Sequence, residues 1–160
     1  MARPRRSVRL QFSREVLVDA LPAAVFAYVA DFRFAPQWRA EVVEVGVEPN
    51  APLQLGSRLH EVARISGRRV VTDSVVEGFE AGRWFSFAHV AGPLPLSGTY
   101  TVDPAPLGSR LSYTLRVELR GSWRLAAPIL RRTGGATIER SLASLAQRIE
   151  TPSDDVHPSV

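Results

Sequence analysis

Residues 25–38 read VFAYVADFRFAPQW and hold five aromatic side chains (Phe26, Tyr28, Phe32, Phe34, Trp38) in a chain with seven Phe, three Tyr and three Trp. Just upstream, Pro22 in Asp19-Ala20-Leu21-Pro22 suits the first helical position, where the missing N–H has no intrahelical partner to lose. Val25 and Val29 lie four apart with Phe26 alongside, so this helix has one apolar face. Leu21 stands where a capping Ser or Asp is usual, leaving Asp19 to serve from further back. Pro36 is expected to stop a second helical turn begun over Phe32–Ala35. Two short helices crowded with rings either plug a core or form one wall of a cavity.

The flanking sequence has the period of strands. Val8, Leu10 and Phe12 alternate with Arg9, Gln11 and Ser13 in a first strand over Val8–Val18. Six more strands are expected at Glu41–Glu48, Ser57–Ser66, Arg69–Phe79, Trp84–Ala91, Leu96–Asp103 and Ser109–Arg120. Turn residues such as Ser66-Gly67, Glu80-Ala81-Gly82 and Gly92-Pro93 separate them. The last strand is clearest: Leu111, Tyr113, Leu115, Val117 and Leu119 fall on one face, polar residues on the other. A helix over Leu125–Glu150 follows, with Ile138, Leu142, Leu145 and Ile149 as its buried stripe. Gly134-Gly135 interrupts it at a cost of ~1 kcal/mol each, which either leaves room beneath the helix or permits close packing on the sheet. The order predicts an α+β fold: a curved seven-stranded antiparallel sheet, two short helices after its first strand, and a long C-terminal helix. That helix alone is long enough to cover the apolar face.

At 160 residues the chain fits one domain, expected over residues 8–150, between a basic arm (1–7) and a polar tail (151–160). Cysteine is absent, which excludes disulfides, thiolate metal sites and cysteine nucleophiles. No apolar run is long enough to span a bilayer, and the N-terminus lacks an apolar h-region, so a soluble, cytoplasmic protein is expected. All 20 basic residues are arginine, and the formal net charge is +4. Five arginines precede the first acid, Glu15. Without a recognition motif they read as a solvated arm rather than a nucleic-acid site.

Three segments carry a family resemblance: residues 25–38 with their Pro-Gln-Trp ending, Leu55-Gly56-Ser57-Arg58-Leu59, and Gly92-Pro93-Leu94-Pro95-Leu96-Ser97-Gly98-Thr99-Tyr100-Thr101. Together they resemble the SRPBCC (START-like) superfamily, and within it the polyketide cyclase/dehydrase and lipid-transport group. The resemblance covers about residues 8–150. It implies a helix-grip fold, in which the sheet grips the C-terminal helix around a ligand cavity and the two short helices close one end. Phe32, Phe34 and Trp38 would then form a cavity wall, and a volume of ~300–1,000 Å³ is expected.

The chain has no nucleophile elbow, phosphate loop, dinucleotide fingerprint or His-Glu-x-x-His. No cofactor is expected, and scattered carboxylates with few histidines give no metal-ligand spacing. Strand parity selects the candidates. Glu61 shares a face with Leu59, Ala63 and Ile65, and His89 with Phe85 and Phe87, while His60 points outward. Glu61 and His89 are the candidate acid/base pair. Tyr100 and Tyr113 are candidate hydroxyl donors, and Leu59, Phe85, Phe87, Leu115 and Val117 the apolar lining beside Phe34 and Trp38. A carboxylate on an apolar wall gains basicity, which suits proton transfer. The alternative is that Glu61 pairs with an arginine and His89 is satisfied at a strand end. Asp73 has no clear face. The expected function is binding of a hydrophobic, lipid- or polyketide-like small molecule. The alternatives are a cyclase or dehydratase using the cavity, and a macromolecular interaction module.

Overall fold

A computed structural model describes residues 6–151; apart from Arg6, Ser7 and Thr151, the expected arm and tail lie outside the described residues. The elements run β1 (Val8–Val18), α1 (Pro22–Val29), a 3-10 turn (Phe32–Phe34), α2 (Ala35–Trp38), β2 (Val42–Glu48), β3 (Arg58–Ile65) and β4 (Arg68–Glu80). They continue as β5 (Trp84–Ala91), β6 (Leu96–Ala105), β7 (Gly108–Leu119), a second 3-10 turn (Gly121–Ala126) and α3 (Ala127–Glu150). The seven strands form one antiparallel sheet in the order β1-β7-β6-β5-β4-β3-β2. It curves around α3, which buries Ile138, Leu142 and Leu145 against it: this is the helix-grip fold. Each such aliphatic side chain contributes about 1.5–3 kcal/mol on burial. No helix among the described residues is long and apolar enough to cross a membrane.

Turn chemistry sets the register. Between β3 and β4, Ser66 and Gly67 both have positive φ (51° and 76°), the two-residue hairpin turn whose twist matches the strands it joins. The pleat then puts Val70, Thr72, Ser74 and Val76 inside and turns Asp73 outward, where its carboxylate lies 2.6 Å from His60 Nδ1.

Two expectations for the aromatic stretch are corrected. The α1 N-cap, Leu21, makes no side-chain cap, and Asp19 does not substitute; its backbone N–H instead donates to the Glu150 carboxylate at 2.9 Å. Pro36 does not stop a helix. It sits in the first turn of α2, where a proline leaves no hydrogen bond unmade. The 3-10 turn before it has three residues per turn, so Phe32, Ala35 and Trp38 all face inward and Phe34 faces out. Phe34 is 37% exposed and stacks on Tyr28 with centroids 5.3 Å apart.

The core has two parts. Under α1 and α2, Phe85, Tyr100 and Tyr113 stack in series (5.2 and 4.1 Å), with Phe26, Phe32 and Trp38 packed edge-on against them. A second cluster joins Leu10, Val70, Leu94, Leu119 and Ala127. Gly98 on β6 makes the aromatic stack possible, because a Cβ there would stand 2.5 Å from Phe87 and 3.0 Å from Tyr113. Gly98→Val is therefore expected to destabilise the fold by about 1–3 kcal/mol through overpacking. In a domain of this size each kcal/mol lowers the melting temperature by about 2–4 °C, so a thermal melt reads the loss directly.

Candidate functional site

Between the sheet and the first half of α3 lies a cavity of about 270 Å³, just under the expected range. Its walls are apolar over most of their area: Leu59, Phe87, Leu115 and Val117 from the sheet, Leu130 and Ile138 from α3, and Phe32 from the first 3-10 turn. Thr72 and Ser74 add two buried hydroxyls from β4. Of the lining residues only Arg64, Ser66 and Thr133 are exposed, so the opening lies between the β3–β4 turn and α3.

Gly134 and Gly135 pack closely on β1. A Cβ at Gly134 would stand 2.5 Å from the Phe12 ring, and one at Gly135 would overlap the Arg14 guanidinium. The pair thus lets α3 sit against β1, and Phe12 enters the lining at the same point.

One part of the lining is polar. Arg39 follows α2 in an extended conformation (φ −108°, ψ 104°), which directs the chain into β2. Its guanidinium grips Glu61 on β3 with two hydrogen bonds, 2.9 and 3.0 Å, and donates a third to Glu41 at 3.1 Å. The side chains of all three are mostly buried, and all line the cavity. Desolvation disfavours the charged guanidinium, but Glu61 and Glu41 outweigh it and hold the Arg39 pKa well above its ordinary value. One cation between two carboxylates leaves a formal charge of −1, and Glu41 Oε2 is buried without a hydrogen-bond partner. Tyr100 and Tyr113 lie next to this cluster. Burial first, then nearby negative charge, raises both phenol pKa values well above 10.0.

The structure brings together Leu59, Glu61, Phe87, Tyr113, Leu115 and Val117 around the cavity. It does not bring Phe34, Trp38, Phe85, Tyr100 or His89 into that lining. Phe34 is outside, while Trp38, Phe85 and Tyr100 are core behind the wall. His89 pairs with Ser74 in register and so falls on the inner side, as parity predicts. At the strand's end, however, its Nε2 lies 2.9 Å from the Gly92 carbonyl, to which it donates, and it does not meet Glu61. Of the two candidate acid/base groups, Glu61 lines the cavity, paired with an arginine, and His89 does not. Sequence reasoning missed Arg39 and Glu41, although a carboxylate on an apolar face requires a counter-charge.

Two measurements check this description. Arg39→Leu strands two carboxylates without a partner and is expected to cost about 3–5 kcal/mol, while Arg39→Leu with Glu61→Leu and Glu41→Leu recovers most of it. Chemical denaturation of the single and triple variants compares the two. For the phenols, a raised folded-state pKa contributes stability that is full below the unfolded value of 10.0 and is lost as pH rises from there. In an alkaline absorbance titration, Tyr100 and Tyr113 should therefore ionise only together with unfolding.

The sequence profile of the family described as polyketide cyclase/dehydrase and lipid transport matches residues 9–150. A search of curated proteins finds no significant match. Among solved structures, a protein of Thermus thermophilus superposes with a TM-score of 0.73 at 21% identity, over 89% of this chain and 97% of that one. A START superfamily protein from Mycobacterium smegmatis gives 0.70 at 19% identity, over 89% and 97%. The Zhui aromatase/cyclase from a Streptomyces species gives 0.71 at 10% identity, over 91% and 94%. At these identities the likeness is one of fold.

Proposed function

The chain belongs to the polyketide cyclase/dehydrase and lipid transport family, and we propose that it binds a compact, apolar small molecule carrying a neutral hydrogen-bond donor. One observation carries this reading: Arg39, Glu41 and Glu61 line an otherwise mostly apolar cavity of about 270 Å³. The volume suits a ligand of a few fused rings rather than a long acyl chain. The polar part of the lining supplies the orientation. Arg39 is occupied by two carboxylates, so a ligand carboxylate would add negative charge to a buried site already at −1. A hydroxyl or phenol would instead donate to Glu41 Oε2, which lacks a partner.

Catalysis by a cyclase- or dehydratase-type reaction is a second reading, favoured by the place of Glu61 on the cavity wall. With His89 turned to the β5–β6 turn, Glu61 would have to take up the proton there, at the expense of its hydrogen bonds to Arg39. Binding is the reading that needs no rearrangement of that pair.

The test uses 2-naphthol and 2-naphthoate, which share a ring system and differ in the polar group, titrated calorimetrically against the protein. Naphthol is expected to bind at least ~10-fold more tightly, and Glu41→Gln to narrow the difference by removing a buried charge. Tighter binding of naphthoate would refute the polarity argued for the site. Binding of neither, with native mass spectrometry of the purified protein showing no retained small molecule, would refute ligand binding in this cavity.

A further inference from the structure

Adjacent hairpins point to opposite ends of the sheet, so the β3–β4 and β5–β6 turns share one end with the start of β1, the finish of β7 and the first half of α3. The second core cluster ties these elements together, and Arg68 at the start of β4 lies 5.0 Å over the ring of Trp123. This is also the end where the cavity opens.

Its charge is one-sided. With the start of β2, whose Val42 pairs with Ala63, segments 6–12, 39–45, 61–73, 89–99 and 116–137 make up this end and contain eleven arginines but five acids: Glu41, Glu44, Glu61, Asp73 and Glu118. Arg39 binds Glu41 and Glu61, and Arg120 binds Glu118 at 3.0 Å. The rest of the described residues hold seven arginines against nine acids, so a modest net charge conceals two regions of opposite sign. Around the opening, Arg64, Arg68, Arg69, Arg124, Arg131 and Arg132 are all exposed. Among them project two aliphatic side chains one helical turn apart: Leu125, 83% exposed, and Ile129, 56% exposed. Ile129 lies one turn before Thr133 at the rim of the opening, and its carbonyl accepts a hydrogen bond from the Thr133 hydroxyl at 2.9 Å.

We infer that this end docks on an anionic phospholipid surface, with Leu125 and Ile129 entering the headgroup–acyl boundary and the arginines engaging phosphates. The arrangement has what an interfacial segment needs: large exposed apolar side chains framed by cations, on a stretch (119–138) that contains no acid. Charge complementarity selects the anionic lipid, and the two protruding aliphatics select a surface that can be penetrated over a polyanion that can only be touched. Docking in this way would set the cavity opening against the membrane, so an apolar ligand could pass between bilayer and cavity without crossing water. This inference goes beyond ligand binding in the cavity and is tested without any ligand.

The experiment is flotation of the full chain with vesicles of phosphatidylcholine alone or with about one-third phosphatidylglycerol. The protein is expected to float with the anionic vesicles only, and to be released by salt at about 0.5 M, where exposed charges are screened. Leu125→Ser with Ile129→Ser leaves the charge unchanged and is expected to weaken binding at least ~10-fold. Arg131→Glu with Arg132→Glu should abolish it, and Arg83→Glu at the opposite end should have no effect. Unchanged melting temperatures establish that the variants are folded. Absence of vesicle binding would overturn the inference, as would equal binding by the Leu125/Ile129 variant. Retention on an immobilised polyanion or acidic protein without vesicle binding would overturn it in favour of that partner.

Discussion

The ladder between β1 and β7 joins the two ends of the domain, from Val8 opposite Leu119 to Val18 opposite Ser109. Without it β7 would be an edge, the sheet would not curve far enough to hold a helix, and the concave face would stand open to water. The ladder also gives α3 its bed, since the helix lies along β1 with Gly134 over Phe12 and Gly135 over Arg14. Pairing strands so far apart in sequence carries a loop-closure cost that forms late and slows folding. What it yields is a concave face partly filled by side chains and partly left empty.

The filled and empty parts have different chemistry. Under α1 and α2, stacked and edge-on rings leave no room, and Gly98 lets them close up. Toward the β3–β4 turn the inward residues become smaller or polar, with Ala63, Thr72 and Ser74, and the space opens. Arg39, Glu41 and Glu61 line that space. A buried ion cluster of this kind is expensive relative to an apolar core of the same shape.

Much of this fold was legible in the residues. Period two in β7 and helical spacing in α3 gave the sheet and the helix that fills it, and the resemblance supplied their arrangement. The aromatic stretch was harder, because its orientation depends on whether Phe32–Phe34, before α2, turns with three residues per turn or 3.6. Three places Phe34 outside; a regular α-helix would distribute the rings differently. His89 shows a second limit. Parity puts it on the correct side of β5, but its position along the strand, and so whether it reaches the cavity, depends on the turn ending at Leu96. Arg39 was invisible to periodicity altogether, since it belongs to no regular element and is placed by the charges it meets.

The strand order also leaves β2 at the margin of the sheet, with one row of backbone donors and acceptors unpaired. Such a margin invites strand addition by another copy of the chain, the route by which sheets aggregate. This strand is guarded: it has seven residues, its pairing with β3 slips between Val42 and Glu44, and it carries Glu44 and Glu48 exposed. A second copy aligned along it would set these carboxylates close to their own equivalents and meet an irregular backbone at one end. The same protein that keeps a hollow interior therefore keeps its open flank unattractive to itself, and can hold an internal space without joining its neighbours into a continuous sheet.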